Sequence, residues 1–194
     1  SEEQGVTTSG SETVCVGDCP TSCVKVVDNA QTWPGNLRSN ISSYTDALDA
    51  EFPGFAAQVC AGGNEVNLCY NPSRIDPDYY AWHVHDEYRD NCDVYFNEKG
   101  VGTASNAKFL VTHELTHHVQ KPLTSTVAEY ENSGAYSEVE SGGFCSYSDT
   151  AGSNTESMAE AAGLYASIPS WGTCASNYRT KYPKNYTWAK GFME

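Results

Sequence analysis

The sequence predicts an α+β fold, and three observations carry that reading. Short runs with β-branched enrichment or period-two alternation cluster between residues 23 and 97. Stretches with helical spacing lie among and after them, each stopped by a proline. A segment dominated by Ser, Gly, Asn and Tyr, residues 131 to 154, separates the last two of those stretches and reads as a long loop of the functional kind.

In chain order, residues 1 to about 20 are polar, rich in Ser, Thr and Gly, and expected to be loosely ordered until the first cysteine. Cys23-Val24-Lys25-Val26-Val27 predicts a strand. Leu37, Ile41, Tyr44, Leu48 and Phe52 recur at helical spacing, so a helix should run to Pro53. Val66 to Tyr70 alternates and predicts a second strand; Tyr80–His85 and Asp93–Asn97 are two more, followed by a break at Gly100 and Gly102. From about Ser105 to Gln120, Ala107, Leu110, Val111, Leu115 and Val119 supply the apolar positions of a helix that ends before Pro122. A last helix should span Thr155–Ser167, stopped by Pro169, and Trp171, Trp188 and Phe192 should anchor the tail against the body. No internal repeat or linker divides the chain, so residues 1–194 read as a single domain.

Composition excludes several classes of function. The formal net charge of -14 repels phosphate backbones, so no nucleic-acid partner is expected. Cationic peptides are the partners such a surface attracts. No run of about 18 apolar residues exists, so no membrane span is expected. The 8 cysteines are even in number and contain no C-x-x-C pair, which reads as a disulfide framework in an oxidising, extracellular compartment. Cys60 and Cys69, flanking the turn-rich Ala61-Gly62-Gly63-Asn64, are the expected local pair. The polar start Ser1-Glu2-Glu3-Gln4-Gly5 reads as a trimmed terminus from which an export signal has been removed. Asn40-Ile41-Ser42 and Asn185-Tyr186-Thr187 are sequons for a eukaryotic secretory host.

The chemistry is carried by His113-Glu114-Leu115-Thr116-His117, an H-E-x-x-H pattern inside a predicted helix. Positions i and i+4 lie one turn apart on one face, so both imidazoles can reach one metal ion. Glu114 then stands where it can act as a general base on a water. The bland alternative is two satisfied surface histidines. His83 and His85 share a strand face and could form an H-x-H metal site, or belong to the cleft, or be plain exposed residues. His118 points about 100° away from His117 and reads as a neighbour.

Through Val111-Thr112-His113-Glu114-Leu115-Thr116-His117-His118 and a later acidic helix, the chain resembles the zincin superfamily of metallopeptidases. Val119-Gln120-Lys121-Pro122 lacks the Gly and third His of the metzincins, whereas Asn154-Thr155-Glu156-Ser157-Met158-Ala159-Glu160 looks like the second helix of a gluzincin. That resemblance implies zinc held by His113, His117 and Glu156, with Glu160 receiving the free ring N–H of His113. It also implies an oxyanion stabiliser, for which Tyr147 leads, followed by Tyr165, Tyr178, Tyr182 and Tyr186. Two alternatives stay open. Ser153 to Glu156 also fits a capping box, and Asp149 would serve as third ligand in an aspzincin, although the signature of that branch is missing. The zincin-like architecture implied is a small mixed sheet and the active-site helix in an upper lobe, residues 1 to about 120, above a mostly helical lower lobe. Asp93–Asn97 would be the strand edge that pairs with an extended peptide. The expected activity is that of a secreted zinc metallopeptidase on peptide or protein substrates. Its rivals are a zinc amidase or deformylase-like enzyme and a non-catalytic, disulfide-rich binding module.

Overall fold

The computed structural model describes residues 7–9, 12–14, 23–84, 90–144, 150–171 and 177–194. The fold is α+β: a small mixed sheet with helices packed on it and on one another. A short antiparallel pair, β1 (Thr7–Ser9) and β2 (Glu12–Val14), precedes the main body. The main sheet has the order β3-β4-β6-β5, from Val24–Val27, Val66–Tyr70, Val94–Phe96 and Ala81–His83. β3, β4 and β6 run parallel, and β5 lies antiparallel to β6 with His83 opposite Val94.

This order moves the sheet edge. Asp93–Asn97 was the edge expected from the sequence, yet β6 lies between β4 and β5, and β5 is the outer strand. All of β6 is buried, Val94, Tyr95 and Phe96 alike, as a strand covered on both faces must be.

The crossover from β3 to β4 carries α1 (Gly35–Glu51) and α2 (Pro53–Val59). Leu37, Ile41, Tyr44 and Leu48 form the buried stripe of α1, as their spacing predicted. Pro53 ends α1 but also opens α2, a helix the sequence reading missed. Its fixed φ and missing N–H suit the first helical position. Two disulfides are described, Cys23–Cys60 and Cys69–Cys92. The expected Cys60–Cys69 pair is therefore wrong, and strand alternation explains why. Leu68 points into the main core while Cys69 points to the other face, where it meets Cys92, Ile75 and Tyr95. Cys60, at the end of α2, faces Cys23 at the start of β3 instead.

The central element is α3 (Ala104–Gln120), capped by the Thr103 hydroxyl, which accepts the Asn106 N–H at 3.2 Å. It is buried nearly all round, packed between α1 and β5 on one side and α5 (Asn154–Ala166) on the other. Its two buried threonines are satisfied within the helix: the Thr112 hydroxyl donates to Lys108 O and the Thr116 hydroxyl to Thr112 O, each at 2.8 Å. With that hydrogen committed, Thr112 Oγ1 accepts from the Tyr44 hydroxyl at 2.5 Å, which ties α1 to the middle of α3. Small residues are frequent among the buried positions of α5, Ala159, Ala161, Ala162 and Gly163, and Gly163 is the one set against Phe109 of α3. A Cβ on Gly163 would lie 2.9 Å from the Phe109 ring and 3.1 Å from the Phe109 carbonyl oxygen. The glycine is what lets the two helices approach so closely.

Much of the expected 131–154 loop is outside the described residues or is ordered differently. α4 (Thr124–Asn132) and a single 3-10 turn, Tyr136–Glu138, occupy its start. The tail folds as α6 (Tyr178–Lys181) and α7 (Pro183–Met193) and packs on the body through Phe192 and Trp188, as anticipated. Asn185, in the second sequon, is fully buried; its amide donates to Ala135 O and Glu138 Oε2 and its Oδ1 accepts from Tyr130. Asn40, in the first, is half-buried and donates to Val101 O.

Candidate metal centre

Helix periodicity puts His113 and His117 on the face of α3 that looks at the N-terminal turn of α5. Their Nε2 atoms are 3.2 Å apart. Glu156 reaches between them, with Oε1 3.2 Å from His117 Nε2 and Oε2 3.5 Å from His113 Nε2. Three donors on a tetrahedral ion with bonds of about 2.0–2.1 Å stand about 3.3 Å apart. The two histidine nitrogens stand at that spacing, and the two Glu156 oxygens each approach one of them. One donor atom from each of the three residues lies within 4.8 Å of the others, so these side chains form a group that could hold a metal ion.

The serine half of the capping box is present. Ser153 Oγ accepts the Glu156 backbone N–H at 3.3 Å, so this serine caps α5. The Glu156 side chain turns toward the histidines. One residue thus starts the helix with its backbone and completes the triangle with its carboxylate.

Each histidine is braced from behind. Glu160, one turn along α5, places Oε2 3.3 Å from His113 Nδ1, in the position expected for it. Gln120 braces His117, its Oε1 accepting from Nδ1 at 2.9 Å while its Nε2 donates to Thr155 O at 2.8 Å. The second bond fixes which way the amide points, so that Nδ1 donates to Gln120 and Nε2 of His117 faces the triangle. The sequence reading missed Gln120, although its place three residues after His117 on the same helix face was a usable signal.

Electrostatics follow from this packing. Burial lifts the Glu156 carboxyl, but its contacts with His113 and His117 outweigh that and hold it far below the usual carboxylate range. Burial pulls His113 down, while Glu156 and Glu160 together push it well above a free imidazole. Glu114 is raised by burial, an effect opposed by the two histidines and by a hydrogen bond from the His83 backbone N–H. The cluster stores negative charge beside two imidazoles, the electrostatic complement of a cation.

A cavity of about 370 Å³ opens onto the triangle. His113, Glu114, His117 and Glu156 line one side; Ile75, Asp76, Tyr79, Ala81, Trp82 and His83 line the other. His83 is buried, 3% exposed, with its Nε2 3.4 Å from His118 Nδ1. The ring of His118, lowered in pKa by burial, thus supports the edge strand rather than the cavity. His85, Tyr147 and Asp149 lie outside the described residues. Tyr165, Tyr178, Tyr182 and Tyr186 do not line the cavity; the Tyr178 hydroxyl donates to Ala161 O, and Tyr165 bonds Glu194. No known protein family, curated protein or solved structure matches the chain.

Proposed function

We propose that this chain is a secreted, single-zinc metallopeptidase of gluzincin type. The observation that carries the reading is the group of His113 Nε2, His117 Nε2 and the Glu156 carboxylate, with one donor atom from each lying within 4.8 Å of the others, opening onto a cavity that Glu114 also lines. Two imidazoles and one carboxylate form a borderline donor set that suits zinc, and three protein ligands leave a position for catalysis.

When bound, zinc supplies a Lewis acid that acidifies water and polarises a carbonyl. The chain's own residues do the rest. His113 and His117 present Nε2 because Glu160 and Gln120 engage the opposite ring nitrogens. Glu114, steadied by the His83 backbone N–H, accepts a proton from the attacking water and delivers it to the leaving amine nitrogen. Burial raises its proton affinity, which suits a group that must both take and return a proton. The outer strand β5 borders the same cavity and has β6 as its partner in the sheet, which favours an extended peptide over a small amide as substrate. Two disulfides, and no helix among the described residues long and apolar enough to cross a membrane, fit an extracellular protein and support secretion.

The test pairs metal analysis with turnover. Glu114→Gln should keep zinc while losing about 10²–10⁴-fold in cleavage of a mixed peptide library. Glu156→Ala should lose most of its zinc. Hydrolysis of small N-acyl amides alone would move the assignment to an amidase. No turnover by zinc-loaded wild type would leave a binding module.

A further inference from the structure

The exposed large hydrophobic side chains of the described residues are Tyr79, Tyr80 and Trp82, at 52%, 37% and 53% exposure, and they share one strip of chain at the rim of the cavity. Rings left in water at a cleft are the usual mark of a binding surface. Tyr80 is already used, stacked on Trp171 with centroids 5.0 Å apart and planes at 26°. Tyr79 and Trp82 instead line the cavity. On the same wall Asp76 is exposed; its Oδ1 accepts the Asp78 N–H at 3.0 Å in an Asx turn, which leaves Oδ2 for a ligand. Ile75 and Ala81, both largely buried, close the wall behind it, and no Lys or Arg is among the described lining residues.

Two exposed aromatic rings and a carboxylate oxygen together suit a cation on a methylene stem. The stem lies against the rings, while the charge meets them and Asp76. An apolar side chain would use the rings but strip water from Asp76 without pairing it, and an anionic one would be repelled. We infer that Asp76, Tyr79 and Trp82 form the subsite for an arginine or lysine side chain of a polypeptide substrate, beside the bond to be cut; the cutting rests on the peptidase reading, whereas the subsite is a binding property.

The test uses two capped peptides identical except for one arginine or its neutral isostere citrulline. Calorimetry on zinc-loaded Glu114→Gln protein reads binding with no cleavage competing. The arginine peptide should bind about 5- to 10-fold tighter. Asp76→Asn keeps the Oδ1 acceptor for the turn and should abolish most of that preference, and Trp82→Ala should weaken the arginine peptide. Asp46→Asn, the same charge change on the exposed face of α1, should leave the preference intact and so separates the subsite from the overall negative field. Equal binding of the two peptides, an unchanged preference in Asp76→Asn, or tighter binding of a leucine peptide would overturn the inference. Arginine-selective binding without cleavage by wild type would instead retire the peptidase and keep the subsite.

Discussion

At the scale of single residues, the centre depends on what stands behind the ligands. His117 can turn either ring nitrogen toward Glu156, and Gln120 decides which, because its amide is locked by Thr155 O. Gln120→Leu should therefore weaken zinc binding about 10–100-fold in competition with a chelator. Gln120→Glu preserves an acceptor for Nδ1 and should retain most of the affinity despite losing the bond to Thr155. Equal losses in the two variants would mean that Gln120 matters only as a brace between α3 and α5. His113, Glu114 and His117 were legible in the sequence because a helix converts spacing directly into direction. Gln120 obeys the same rule, but a glutamine at that position has no chemistry to attract notice until its two partners are seen.

At the scale of elements, the close approach of α3 and α5 determines whether the triangle closes. Glu156 and Glu160 belong to α5, His113 and His117 to α3, and Gly163 meets Phe109 at the contact. Gly163→Ala would press a methyl group into the Phe109 ring and carbonyl. It should cost about 1–3 kcal/mol in a urea melt and also loosen zinc binding, because separation of the helices pulls Glu156 from His113 and His117. A loss of stability with unaltered zinc affinity would show that the helices give way elsewhere. The helices α1, α3 and α5 announced themselves through apolar spacing, and β3 and β4 through β-branched or alternating runs. α2 and α4 did not, because each follows directly on a proline-marked stop and is too short for its period to stand out.

At the scale of the whole molecule, tyrosines knit the helical layers together. The hydroxyl of Tyr44 joins α1 to α3, that of Tyr130 joins α4 to α7, and that of Tyr178 joins α6 to α5. Burial, first among the causes, raises the pKa of all three phenols, and nearby groups including Glu138 add to it at Tyr130 and Tyr178. In the unfolded chain these phenols titrate near 10. The folded state therefore holds their protons more tightly, so this contribution is intact below about pH 10 and is lost as the pH climbs toward the raised values. Urea midpoints should fall as the pH climbs above about 10, with phenolate absorbance of a late-titrating class rising only as the fold is lost; smooth ionisation of every tyrosine near 10 in the folded protein would contradict this. What the linear chain decided alone was local. Short-range spacing sets the strand and helix periods, and with them the shared face of His113 and His117. Which strand lies outermost, which cysteines meet, and whether Glu156 caps a helix or completes a triangle were decided by packing. Each of those depends on contacts between segments far apart in sequence, and no local period encodes the distance between them.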